Sequence, residues 1–148
     1  MEIFETQLTD ELLPKLLAMS ADWEAEQSTY GYYQNDRSDI EGNRIFLATE
    51  NGTVVGYLFG RETRAERSRS IMPDGTLYFE IEELYVPPVY RSRGIGRALF
   101  AFAETKIKQD GIEFILLSTA TKNYKAILHF YIDEMGMDFW SARLYKQL

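Results

Sequence analysis

The sequence predicts a single α/β domain on a mixed sheet, with elements in the order β-α-α-β-β-β-α-β-α-β. Three observations carry this reading. Asn51-Gly52 sits between two apolar runs, a strong hairpin signal because Asn-Gly suits the positive φ angles of a type I′ turn. Helical periodicity over residues 95–107 separates two strand-like runs, 76–86 and 113–119, which then lie parallel across a crossover helix. A chain of 148 residues, 45% of them apolar, can bury one core but not two. It shows no internal repeat or linker, so residues 1–148 form one domain.

Taken in order, residues 2–7 alternate apolar and polar side chains as a half-buried strand does. Thr9 or Asp10 can cap the helix that follows, which has Pro14 in its first turn. The acidic, aromatic segment 21–36 reads as a second helical piece that frays near Gly31. Residues 44–50 and 53–62 are the hairpin strands. The charged stretch 63–75 ends in Pro73-Asp74-Gly75, a turn signal, before the long strand 76–86. Ile95, Leu99, Phe102, Ala103 and Ile107 recur at helical spacing until Gly111 supplies a stop. The continuous apolar run within 113–119 reads as a buried central strand. Ile127, Phe130, Tyr131 and Met135 line one side of a further helix ending near Gly136, and residues 137–148 close the chain as one or two short strands.

Composition removes several function classes. The absence of cysteine excludes disulfide frameworks, thiolate nucleophiles and thiolate metal sites. With His129 the single histidine, a zinc site has no ligand set, and no metal is expected. Sixteen basic against twenty-three acidic side chains give a net charge of −7. That field repels nucleic acid and anionic membranes and favours a cationic partner, although an acidic excess can also serve solubility alone. The first thirteen residues lack the basic start of a signal peptide, and no apolar run is long enough for a membrane span. The expectation is a cytoplasmic protein.

The most informative stretch is residues 89–100, VYRSRGIGRALF, with three arginines and two glycines within 91–97. A glycine-containing loop between strand and helix offers free backbone N–H groups at the positive end of the helix dipole, which suits a pyrophosphate. Gly94 and Gly96 let the backbone approach the anion closely. A Walker loop is excluded because Arg97-Ala98 follows Gly96, and the dinucleotide fingerprint because Leu99 stands where a third glycine is needed.

What remains, Leu84-Tyr85-Val86-Pro87-Pro88 followed by Arg91-x-x-Gly94-x-Gly96 and an amphipathic helix, closely resembles the acetyl-coenzyme A signature of the Gcn5-related N-acetyltransferases, the GNAT family. Residues 120–137 resemble the family's second motif, with Asn123, Ala126, Tyr131 and Gly136. The resemblance covers most of the chain; residues 1–45 match only in element order. It implies central strands splayed around acetyl-CoA as co-substrate. The loop of Arg91, Ser92, Arg93, Gly94, Ile95, Gly96 and Arg97 would hold the pyrophosphate, chiefly by backbone groups from Ser92 to Arg97. The backbone of Leu84, Tyr85 and Val86 would pair with the pantetheine arm, and an N–H near Val86 would polarise the thioester carbonyl. Asn123 is carried over as a cofactor contact.

The resemblance implies a small-molecule or peptide amine as acceptor, which is protonated at neutral pH and would need a base. Glu80 lies eleven residues before Arg91, the spacing of the base glutamate in the family's histone-acetylating members; Glu82, Glu83 or a water chain are the alternatives. Period-two geometry puts Glu80 and Glu82 on one face and Glu83 on the other unless a bulge intervenes. Tyr131 is the family-implied acid for the leaving thiolate, but it stands eight residues after Asn123 where the family usually has seven, the place of Phe130. One residue rotates a helix position by about 100°, and a π-bulge between Ala126 and Tyr131 would restore the aim. Ser118 stands where ribosomal-protein N-terminal acetylating relatives tend to carry a glutamate, which argues against that subgroup.

The reading is therefore an N-acetyltransferase acting by direct attack, since no cysteine relay exists. The alternative is a non-catalytic acyl-CoA-binding sensor or partner subunit. A nucleic-acid binder using Arg61, Arg64, Arg67 and Arg69 is opposed by Glu62, Glu66 and the net charge. A homodimer is compatible with the resemblance.

Overall fold

The computed structural model describes residues 1–67 and 70–148. Arg69 of the basic cluster lies outside the described residues. Asn51 and Gly52 adopt φ of 50° and 79°, the left-handed pair that a twisted hairpin requires. They join β2 (Arg44–Glu50) to β3 (Thr53–Arg64). β1 (Glu2–Thr6) pairs antiparallel with β2, and β4 (Leu77–Tyr85) antiparallel with β3. The crossover helix α3 (Ile95–Gln109) returns the chain to β5 (Ile115–Leu116), parallel to β4. The spatial order is β1-β2-β3-β4-β5 in one open sheet.

Period-two alternation gives the sheet two apolar faces. Phe46, Ala48, Val55 and Leu58 pack with Ile95, Leu99, Phe100, Ala103 and Ile107 of α3. Ile45, Leu47, Tyr57 and Phe59 pack on the other face with Leu16 and Met19 of α1 (Leu13–Glu26) and with Leu12 just before it. Thr9 contributes to the helix start through its Oγ1, which accepts from Leu12 N at 3.0 Å.

β4 carries an irregularity that organises the site. Its pairing with β3 steps from Phe59–Glu83 to Gly60–Ile81, leaving Glu82 as an extra residue. Such a bulge reverses the facing of everything beyond it. Phe79 and Ile81 belong to the α3 core, but so do Leu84 and Val86, while Tyr85 turns into the α1 core. Gly60 sits opposite the bulge, where a Cβ would come within 2.1 Å of the Glu80 carbonyl oxygen.

Three expectations are corrected. Residues 21–26 belong to α1, which ends at Gln27 in the left-handed region with φ 53°. The second helix, α2 (Arg37–Ile40), is a single turn held by a capping box between Asp36 and Asp39. The strand expected over 113–119 forms ladder pairs only at Ile115 and Leu116, and it lies at the sheet edge rather than its centre. The bulge turns β4 away from it beyond Glu80. Finally, residues 137–148 form no strand. That segment is held by side chains, with Trp140 Nε1 donating to Ser70 Oγ at 3.1 Å and the Tyr145 hydroxyl 3.3 Å from that of Tyr30.

Among the described residues no helix is long and apolar enough to cross a membrane. Gly60→Ala is expected to lower stability by about 3 kcal/mol, because the neighbour it would strike is backbone that cannot rotate away. Urea unfolding measures this, and a loss below about 1 kcal/mol would show that the bulge relaxes without a glycine.

Candidate active site

The loop after β4 is built to leave donors free. A 3₁₀ turn, Pro88–Tyr90, leads to Ser92 and Gly94, both left-handed with φ of 63° and 79°. Serine in that region is strained, a cost tolerated where backbone direction matters. Gly94 is the N-cap of α3 and offers no side-chain cap. The first carbonyl bond of the helix, from Ala98 N to Gly94 O, comes only at the fifth residue. Among the described residues the N–H groups of Ser92 to Arg97 therefore have no acceptor, at the positive end of a fifteen-residue helix dipole. The three loop arginines each meet a glutamate: Arg91 meets Glu26 at 2.8 Å, Arg93 meets Glu50 at 3.8 Å and Arg97 meets Glu134 at 3.2 Å.

Beside this loop the sheet forks. β4 and β5 pair only at Phe79–Ile115 and Glu80–Leu116, so beyond Glu80 the edge of β4 facing β5 has no ladder partner. Leu84, Tyr85 and Val86 lie along this open edge, their side chains committed to the two cores. A backbone edge beside an anion-binding helix terminus can take an extended arm ending in a diphosphate.

The bulge gathers Glu80, Glu82 and Glu83 on the α1 face. Glu80, flanked by the inward-facing Phe79 and Ile81, stands at the fork itself. Glu82 faces Arg61 at 3.9 Å, and its carboxyl is pushed up by burial and by Glu80, against the opposing pull of Arg61. Glu83 is largely enclosed. It accepts from the Tyr57 hydroxyl at 2.9 Å, the Tyr32 hydroxyl at 3.0 Å and Asn35 Nδ2 at 2.8 Å. Burial pushes its carboxyl up while these three donors pull it down. Tyr32 and Asn35 come from the connection between α1 and α2, so Glu83 ties that connection to β4. At its other edge the connection joins the segment after β5, through a Thr29–Thr121 bridge and Tyr30 N donating to Ala120 O at 3.0 Å.

The second motif contains the expected widening. α4 (Tyr124–Leu128) passes into a π-helical turn, His129–Glu134, closed by Met135 N donating to Phe130 O at 2.9 Å. The wide turn begins just after Leu128, within the interval where the register mismatch called for it. Phe130 lies against Gly96, 3.6 Å from where a Cβ would stand. Tyr131 is buried against Phe100 of α3 and Phe130, with ring centroids at 6.2 and 5.0 Å. Burial pushes its phenol up to about 12. Its hydroxyl has no partner among the described residues, and no fully buried side-chain polar atom there is unpartnered. The hydroxyl therefore reaches the surface. Asn123 caps α4, its Oδ1 accepting from Ala126 N at 3.3 Å. His129 pairs with Asp133 on the exposed side at 2.8 Å, away from this chemistry.

Residues 7–137 match the family described as Acetyltransferase (GNAT) family. The chain belongs to the GNAT acetyltransferase family. Solved structures of similar fold include an aminoglycoside acetyltransferase from an uncultured soil metagenomic sample, 20% identical with a TM-score of 0.70 over 100% of this chain and 99% of that one. Another is the aminoglycoside N-acetyltransferase AAC(6')-Iy in complex with CoA, 15% identical with a TM-score of 0.67 over 99% of this chain and 98% of that one. A third is a ribosomal-protein-alanine N-acetyltransferase from Brucella melitensis biovar Abortus 2308, 21% identical with a TM-score of 0.63 over 99% of this chain and 100% of that one. No curated protein matches the chain significantly in sequence.

In this N-acetyltransferase the free amides of the loop and the open edge of β4 fit the acetyl-CoA that the family uses. Among the described residues no cluster of three or more acidic or histidine side chains could hold a metal. Sequence reasoning missed Glu26, Tyr32, Asn35 and Tyr57. The first three lie in the acidic, aromatic segment 21–36 that the sequence singles out as a whole, but the end of α1 at Glu26 is visible only in the structure.

Two predictions follow from the acids of the acetyltransferase. Glu83→Ala takes the acceptor from the Tyr57 phenol and the Asn35 amide, leaving Tyr32 its bond to Ser20, and should cost about 3 kcal/mol in chemical denaturation. Glu82 has a raised folded-state pKa, so the folded state binds more protons than the unfolded one and loses stability as pH rises above the unfolded value. Glu82→Gln should therefore raise the thermal midpoint at pH 7 relative to the parent and leave it level at pH 4. An equal shift at both pH values would assign the effect to packing.

Proposed function

We propose that this GNAT protein acetylates a cationic amine from acetyl-CoA by direct attack, with Glu80 as base and Tyr131 as acid. The observation that carries the reading is the fork: Glu80 stands at its apex, between the open backbone edge of β4 and the α1 face that also holds Glu82 and Glu83. The acidic face favours an ammonium acceptor. Two solved structures of similar fold are of aminoglycoside acetyltransferases, and aminoglycosides carry several amines.

Bound acetyl-CoA supplies an activated acyl carbon. Glu80 takes one proton from the acceptor ammonium, directly or through a water, freeing the nitrogen lone pair. The N–H near Val86 steadies the negative charge that develops on the acyl oxygen. As the C–N bond forms and the C–S bond breaks, Tyr131 donates its phenolic hydrogen bond to the departing sulfur. Of the three ammonium protons, one goes to Glu80, one stays on the amide, and one ends on the thiol by relay through Tyr131. Burial of Tyr131 supports the role, because a phenol at about 12 is fully protonated at neutral pH.

Thiol release from acetyl-CoA, measured across polyamines, aminoglycosides, amino acids and lysine or N-terminal peptides, tests this. Release above the hydrolytic background with a cationic amine is expected. Glu80→Gln should lower kcat by about a hundredfold and Tyr131→Phe by about tenfold. Coenzyme A binding without release for any amine would instead support the sensing module.

A further inference from the structure

The first arginine of the Arg-x-x-Gly-x-Gly loop makes contacts that an anion ligand does not need. Arg91 Nε donates to the Val86 carbonyl at 2.7 Å, while Nη1 and Nη2 reach the two oxygens of Glu26 at 2.8 and 3.1 Å. The guanidinium also lies 5.6 Å from the Tyr85 ring centroid, and the Tyr85 hydroxyl donates to the same Glu26 oxygen at 2.7 Å. Only a guanidinium fork can hold a carboxylate with two nitrogens and a carbonyl with a third.

Glu26 is the last residue of α1, where the helix dipole opposes a negative charge and no basic residue in the final turn offsets it. Its side chain is only 18% exposed. An acid in that place makes physical sense as the counter-charge of Arg91. Between the two ends of the contact, Tyr90 N donates to Pro87 O at 2.9 Å and Arg91 N to Pro88 O at 3.2 Å. The side-chain contact closes a short ring over residues 86–91 and fastens it to α1.

We infer that Arg91 and Glu26 form a positioning brace: the Arg91 side chain orients the end of β4 at Val86 instead of binding the pyrophosphate, and so governs turnover rather than cofactor affinity. The inference rests on the acetyl-CoA reading of the site. Arg93 and Arg97 are the more exposed loop cations, each with a single and longer ion pair. They, with the free amides, serve the phosphates.

The test is calorimetric titration of the full chain with coenzyme A, together with turnover of acetyl-CoA, for Arg91→Gln, Arg91→Lys, Glu26→Gln and Arg93→Gln. Acetyl-CoA turnover is read with the best amine, or as background hydrolysis if no amine is acetylated. Thermal midpoints verify folding. The brace predicts that both Arg91 variants and Glu26→Gln keep the coenzyme A Kd within about threefold and lower kcat about tenfold, with lysine no better than glutamine. Arg93→Gln should raise Kd about tenfold. The inference is overturned if Arg91→Gln raises Kd as much as Arg93→Gln while Arg91→Lys restores it, the pattern of a phosphate ligand. Tighter coenzyme A binding by Glu26→Gln, from a guanidinium released toward the anion, would overturn it equally. Failure of the parent protein to bind coenzyme A would sink both the brace and the cofactor reading. Binding without acetylation of any amine would remove the proposed function alone, since the Kd series and hydrolysis still decide the brace.

Discussion

The extra residue in β4 is the constraint on which the rest depends. A regular strand would keep Phe79, Ile81, Glu83 and Tyr85 on one face and drive a carboxylate into the α3 core. With Glu82 out of register, the α3 core receives Phe79, Ile81, Leu84 and Val86, all apolar, and the other face receives the acids. The same irregularity bends β4 away from β5, and the gap it opens is where a backbone edge can accept a ligand. Gly60 is the local condition for the arrangement, since any side chain there would meet the Glu80 carbonyl.

Electrostatics then divides the molecule at this gap. On one side the glutamates of β4 sit with few cations nearby, and the enclosed Glu83 is held by neutral donors rather than by an ion pair. On the other, the loop arginines are each matched to a glutamate from a different element, α1 for Arg91, β2 for Arg93 and the π-helical turn for Arg97. The two more exposed pairs, those of Arg93 and Arg97, contribute little to stability. Their effect is to fix the loop to its surroundings while the backbone amides from Ser92 to Arg97 keep no acceptor among the described residues.

Features written in local sequence were legible. Asn51-Gly52 specifies its turn by backbone preference alone, and the loop from Arg91 to Gly96 announces its chemistry through glycine placement and the helix behind it. The widened turn at Tyr131 was legible too, because counting residues from Asn123 exposed a mismatch that only a change of helical pitch absorbs. What was hidden is non-local. The run from Phe79 to Leu84 alternates until the Glu82-Glu83 doublet, which admits a bulge without marking which residue is extra; that depends on the pairing with Gly60. Two of the three partners of Glu83, Tyr32 and Asn35, lie some fifty residues upstream in an irregular connection, where no periodicity survives. The apolar content of 113–119 suggested a buried central strand, but Phe114 to Leu117 are only half-buried, with Ile115 and Leu117 at the margin of the α3 core, as an edge strand allows.

Two ladder rungs alone join β5 to β4. The antiparallel meander is joined by long ladders, β2 to β3 and β3 to β4, each with one register shift, whereas backbone pairing across the fork is confined to those two rungs. Across the fork, β5 and the last helix are held instead by side chains, with Ile115, Leu117, Ile127, Phe130 and Tyr131 belonging to the α3 core, and by the Thr29–Thr121 bridge to the α1–α2 connection. The width of the fork is therefore set by how side chains pack on α3 and not by the spacing of a hydrogen-bonded ladder.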